Sequence, residues 1–113
     1  MLTIVELAPF LRHVDDVLDD EERAELIDAL ARNPELSSDV IRGTGGVRKL
    51  RWKARGQGKS GGARVIYYFH SEKIPLFLIT IYAKSDKASL TKAQKNQMRT
   101  LVGVLKTYGG QDE

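Results

Sequence analysis

Between Val47 and Tyr82 the apolar residues recur in short runs with a period of two, and this pattern limits the middle of the chain to a sheet. From Val47 to Ala54, Leu50, Trp52 and Ala54 point one way while Lys49, Arg51 and Lys53 point the other. That is a strand with one buried face and one cationic face. Ala63 to Phe69 is richer in apolar and aromatic residues, as a central strand requires, and Ser71 to Pro75 marks the turn that follows. Leu76 to Tyr82 reads as the next strand, with Phe77, Ile79 and Ile81 expected in the core and Thr80, Tyr82 and Lys84 on the opposite face.

Helical patterns flank this sheet. Leu2 to Val5 is a short run of β-formers, after which Pro9 fits a first helical turn and Leu11, Val14 and Leu18 recur at helical spacing. Asp19 and Glu22 form a capping-box pattern for a second helix, with Ile27, Leu30 and Ala31 as its apolar stripe and Asn33-Pro34 as its stop. Leu36 to Gly46 reads as a connection into the sheet. Thr91 and Gln94 repeat the capping-box pattern before a last helix whose apolar face is Met98, Leu101, Val102 and Leu105, and Gly109-Gly110 ends the fold. The class is therefore α/β in the α+β sense, with two N-terminal helices, a small sheet and one C-terminal helix. At 113 residues the chain has room for one domain, residues 1–113. The absence of cysteine excludes disulfides, a thiol nucleophile and thiolate metal sites. No apolar run suits a signal peptide or a bilayer span, so a cytoplasmic location is the expectation and a membrane is not an expected partner.

Charge is laid out in blocks. Residues 1–41 carry three basic and eleven acidic side chains, whereas residues 42–64 carry eight basic side chains and no acid. A field of this kind draws a polyanion to one part of the molecule, and an RNA backbone is the expected ligand. Arg48, Lys49, Arg51, Lys53 and Arg55 are the expected RNA-binding residues. Within the block, GQGKSGGAR at 56–64 suits a hairpin loop and also a backbone cradle for an anion, with Lys53, Arg55, Lys59 and Arg64 as flanking cations. It is not a Walker loop, because the glycine five residues after Gly56 is followed by Gly62 rather than lysine. Tyr67, Tyr68 and Phe69 offer stacking surfaces for bases, although alternation prevents all three from facing RNA together. His13 and His70 follow no ligand spacing, so neither a metal nor another cofactor is expected.

The succession GGVRKLR at 45–51, GQGKSGGAR at 56–64, VIYYF at 65–69 and LITIYAK at 78–84 resembles the HigB branch of the RelE/ParE toxins of bacterial type II toxin–antitoxin systems. The likeness runs over nearly the whole chain. It implies a compact RelE-like fold with a small, mainly antiparallel sheet, and a ribosome-dependent endoribonuclease (an mRNA interferase) that cuts translated mRNA and inhibits translation. Its partners would be the ribosome, mRNA and a cognate antitoxin from a neighbouring gene, often of helix-turn-helix type. Carried over by position, the resemblance gives Lys59, Arg64, Tyr82 and Lys84 as catalytic residues, with Lys49 and Arg51 on the RNA backbone; the role of Tyr108 is left open.

Such chemistry needs no metal. The ribose 2′-hydroxyl attacks the adjacent phosphate, giving a 2′,3′-cyclic phosphate and a 5′-hydroxyl end. Arginine neutralises the charge that grows on the phosphoryl oxygens, and a tyrosine hydroxyl can pass or donate a proton. An amine takes an acid or base role only where neighbouring cations depress its pKa, and Lys84 and Lys59 are the candidates. Two other readings fit the same features: a ParE-like toxin that binds a protein target such as gyrase, and a noncatalytic RNA-binding protein.

Overall fold

The computed structural model describes residues 2–54, 62–85 and 90–108. Their elements run β1 (Ile4–Glu6), α1 (Ala8–Val17), α2 (Asp20–Arg32), β2 (Asp39–Val40), β3 (Val47–Trp52), β4 (Ala63–Tyr68), β5 (Leu76–Ala83) and α3 (Lys92–Leu105). The strands form one sheet in the order β1-β5-β4-β3-β2, with β1 parallel to β5 and every other pair antiparallel. The fold is an α+β arrangement of three helices on a five-stranded sheet, of the kind the resemblance implies.

Both capping boxes close as their spacing predicts. The Glu22 backbone N–H donates to Asp19 Oδ1 at 2.7 Å while the Asp19 N–H donates to Glu22 Oε1 at 2.9 Å. At α3 the Gln94 N–H donates to Thr91 Oγ1 at 3.1 Å and the Thr91 N–H to Gln94 Oε1 at 2.9 Å. Each box satisfies two backbone donors that a helix start otherwise leaves open. Between the first two helices Leu18 takes an extended conformation and is itself buried, and Arg23 ties α2 to β1 through a 2.8 Å ion pair with Glu6.

The helices divide the sheet into two cores. On one face α1 and α2 bring Phe10, Val14, Val17, Leu18, Leu26 and Leu30 onto Leu50, Val65, Tyr67, Leu76, Leu78 and Ile81. On the other, α3 brings Met98, Val102 and Leu105 onto Val47, Ile66, Tyr68, Phe77 and Ile79. The loop after β2 fixes where α3 lies. Gly45 (φ +83°) and Gly46 (φ +121°) take backbone angles that side chains disfavour, and a Cβ on Gly46 would come within 3.4 Å of the Tyr68 ring. Arg99 of α3 donates to the Gly43 carbonyl from Nε at 3.1 Å and from an η nitrogen at 3.0 Å. The helix is thus clamped over the Val47–Tyr68–Phe77 end of the sheet.

Four details differ from the expectation. Leu11 is solvent-exposed, because the inward stripe of α1 is Phe10, Val14 and Val17, and Leu18 lies just beyond the helix. In α2 the buried positions are Leu26 and Leu30, with Ile27 only packed at the margin. The connection at Leu36 to Gly46 contains a strand, β2. Finally, a register shift between Ile66 and Tyr67 pairs them with Thr80 and Leu78, skipping Ile79. This bulge reverses the parity of β5, so Ile81 joins the α1/α2 core while Phe77 and Ile79 lie in the α3 core. Unbroken alternation had placed all three together.

Candidate nucleic-acid interface

The cationic part of the α3 face is read most directly from the strand register. Arg51 of β3 pairs with Arg64 of β4, and Arg64 pairs with Tyr82 of β5, so one row across three strands carries two guanidinium groups and a phenol. The adjacent row is Lys49, Ile66 and Thr80. Cross-strand partners share a face, and Ile66 belongs to the α3 core, which puts Lys49, Arg51, Arg64 and Tyr82 on that same face. Of these, Arg51 is open to solvent and Lys49 half so, whereas Arg64 is nearly buried and Tyr82 packs against the α3 core. The alternation of β3 creates the cationic stripe, and the antiparallel register sets Arg64 and Tyr82 beside it.

Exposure grades these residues. Arg51 is exposed, Lys49 is half-buried, and Lys53 is exposed just past the end of β3. Arg64 is only 6% exposed, and one of its η nitrogens donates to the Ala63 carbonyl at 3.2 Å. Tyr82 is half-buried; loss of water around its hydroxyl raises its pKa above the ordinary tyrosine value, and the Arg64 charge offsets part of that rise. Its phenol therefore stays protonated at neutral pH. Lys84 is exposed just after β5, and its backbone N–H donates to the Gly62 carbonyl at 3.0 Å, which holds it beside the start of β4. Arg55 and Lys59 lie outside the described residues.

Arg48 does not join the group. It pairs with Tyr67 in the register and turns to the α1/α2 side, where one η nitrogen donates to Ser38 Oγ at 3.2 Å and the other lies 3.5 Å from a Glu35 carboxylate oxygen. Ser38 also bonds the Tyr67 hydroxyl at 2.7 Å, and that hydroxyl donates to the Pro34 carbonyl at 2.8 Å. Arg48 therefore helps fasten residues 34–38 to the sheet. Tyr67 and Tyr68, 0% and 4% exposed, are core residues and present no stacking surface.

Tyr108 lies elsewhere. Its ring packs edge-on against Phe77 at 5.5 Å, in the row of Tyr68. Tyr68 is four residues along β4 from Arg64, roughly 13 Å at the rise of a strand. His70 stacks near Tyr68 with ring centroids 6.3 Å apart, and His13 is on α1. Among the described residues no group of three or more histidine or acidic side chains is placed to hold a metal ion, and no helix is long and apolar enough to cross a membrane.

One acidic residue of the neighbourhood was not anticipated. Asp39 of β2 pairs with Lys49, and it lines a groove of about 320 Å³ with Ser37, Lys49 and Arg51. Its own sequence block is acidic, and only the return of the chain as β2 brings it to the cationic stripe. Chemically, the face offers positive charge and a protonated phenol whose hydroxyl is buried beside Arg64, groups of the kind that neutralise a phosphodiester and protonate a leaving oxygen. Comparison with protein families agrees in kind: the family described as the RelE toxin of the RelE/RelB toxin–antitoxin system matches residues 10–112.

Proposed function

This chain belongs to the RelE toxin family of toxin–antitoxin systems, and from that premise we propose that it is a ribosome-dependent endoribonuclease that cuts mRNA during translation. The observation that carries this reading is the row Arg51–Arg64–Tyr82 on the α3 face of the sheet, beside the exposed cations of β3. Lys49, Arg51 and Lys53 hold the RNA backbone. Arg64, buried beneath that surface, stabilises the charge that builds on the phosphoryl oxygens as the 2′-hydroxyl attacks. Tyr82 keeps its proton at neutral pH and can give it to the departing 5′-oxygen. The reading requires that neighbouring cations depress the pKa of Lys84 or Lys59, whose neutral amine then accepts the 2′-hydroxyl proton. Arg55 extends the backbone contacts, whereas the partners of Arg48 support a structural part for it.

The wider branch is HigB-like, on the motifs GGVRKLR, GQGKSGGAR and LITIYAK. A cognate antitoxin from a neighbouring gene, of helix-turn-helix type, covers or distorts the basic face. The protein acts in the cytoplasm, where its ribosomal substrate is. Translating ribosomes programmed with a defined mRNA test this directly. Addition of the purified chain should produce mapped cuts ending in a 2′,3′-cyclic phosphate, and the cuts should survive treatment of the toxin with EDTA. Ribosome binding with intact mRNA would leave a noncatalytic RNA-binding protein. Intact mRNA together with an inhibited gyrase would leave a ParE-like toxin.

A further inference from the structure

Asp39 stands on a face where a carboxylate works against the binding of phosphates. It is exposed on an edge strand, directly opposite Lys49, and Ser37, in the turn before β2, lines the same groove as Arg51. Side chains paired in this way stand about 4.5–5.5 Å apart at their Cβ atoms. Among the described residues Asp39 makes no ion pair or side-chain hydrogen bond, with Lys49, with Arg51 or with any other group. The groove between these four side chains thus offers two fixed cations on one wall, and a carboxylate and a hydroxyl on the other.

We propose that this groove is a nucleobase subsite, in which Asp39 selects guanine next to the phosphate held by Arg51 and Lys49. The proposal rests on the RNA-binding reading of the same face. A carboxylate only accepts hydrogen bonds, and its two oxygens match two adjacent donors. Guanine alone among the four RNA bases presents two adjacent donors, N1–H and the N2 amino group, on its Watson–Crick edge. Adenine and cytosine set one amino donor beside a ring acceptor that the carboxylate repels. Uracil offers one N–H between two carbonyls. Single-stranded RNA leaves these edges free to be read.

Two measurements decide the matter. In the first, cuts by wild type, Asp39→Asn and Asp39→Ala are mapped over an mRNA with many codons, with circular dichroism as the control for folding. Wild type should favour guanine at one codon position by roughly tenfold or more, the discrimination expected of a good two-point contact. Asp39→Ala should erase that preference. Asp39→Asn, which exchanges an acceptor for a donor, should move it towards adenine or cytosine. An unchanged pattern in both variants overturns the subsite, as does a uniform loss or gain of cutting at every codon. The second measurement needs no cutting: guanosine and adenosine 5′-monophosphates are titrated against the isolated chain, followed by the backbone amide signals of Asp39 and Lys49. Tighter binding of the guanosine nucleotide by roughly tenfold, lost in Asp39→Ala, supports the subsite. Equal binding, or none, overturns it. A wild type that prefers the guanosine nucleotide but cuts nothing would keep the subsite and end the ribonuclease reading.

Discussion

The two faces of the sheet are built by the same three strands with the same alternation, yet they serve different ends. On the α1/α2 face, Leu50, Val65, Tyr67, Leu76, Leu78 and Ile81 are all buried under two helices. On the α3 face a single helix covers Val47, Tyr68, Phe77 and Ile79 and leaves Lys49 and Arg51 to the solvent side. The difference lies in helix coverage and not in the strands. Arg99 and the glycine loop anchor α3 at one end of the sheet, so the same β3 that is core at Val47 is a cationic surface two turns of the pleat later. Apolar burial is more extensive on the first face, and the second carries the cationic row beside its smaller core.

The largest effect should come from breaking the covered face. Leu30→Ala in α2 removes a side chain with no exposure and should cost about 2–5 kcal/mol, the range for such truncations. Urea denaturation reads the cost, and single-turnover cutting under native conditions should stay near wild type. A variant of unaltered stability that lost cutting would show that the two faces are not separable in this way.

Arg64→Ala tests the cationic row. Loss of one contact to the charge of the transition state commonly removes about 2.7–4 kcal/mol, roughly a hundred- to thousandfold in rate. Single-turnover cleavage at saturating ribosome measures it, with circular dichroism and a urea midpoint as controls, because Arg64 is nearly buried and its removal has a packing cost too. Near-normal cutting would remove Arg64 from the chemistry and direct attention to Tyr82 and Lys84.

What the sequence disclosed and what it concealed follow from the range of each signal. Asp19/Glu22 and Thr91/Gln94 are four-residue patterns, and both boxes form. The parity of Lys49 and Arg51 against Leu50 and Trp52 is equally local, and it carried the cationic face correctly. The same parity places Arg48 with Leu50; the signal that separates it from its neighbours was present, but block charge obscured it. Asp39 was out of reach, since it approaches Lys49 only through pairing with a strand two residues long. The bulge at Ile79 also left no mark in the sequence, because alternation assumes one unbroken period and a single extra residue reverses it.

A smaller effect sharpens the electrostatic side of the contrast. Replacing Lys49, Arg51 and Lys53 together by alanine should lower the dependence of ribosome or RNA affinity on salt. Each contact to a single-stranded phosphate contributes about 0.7 to the logarithmic slope, so three contacts amount to about 2. Arg48→Ala, on the other face, should leave that slope unchanged. Equal changes for the two variants would mean that the sheet does not sort its cations by face.

The smallest effect concerns the polar network around Tyr67 on the covered face. The Tyr67 hydroxyl is shared among Ser38 Oγ at 2.7 Å and the carbonyls of Pro34 at 2.8 Å and Glu35 at 3.4 Å. Tyr67→Phe removes these bonds and keeps the ring, so it should cost about 0.5–1.5 kcal/mol near neutral pH. Burial raises the Tyr67 pKa, partly opposed by the bond to Ser38 and the charge of Arg48, and the direction of that shift sets a second signature. Below the unfolded pKa of about 10 both states are protonated and the contribution is complete. Above it the unfolded chain ionises first, and stability falls as pH rises towards the higher folded value. Tyr68 and Tyr82 are shifted in the same direction, so the wild type should lose stability through this window in several steps, of which Tyr67→Phe removes one. Urea midpoints from pH 8 to 11 for the two proteins should therefore converge as pH rises. Parallel curves across that range would mean that Tyr67 ionises as easily in the fold as outside it, and that the fastening of residues 34–38 does not depend on a buried neutral phenol.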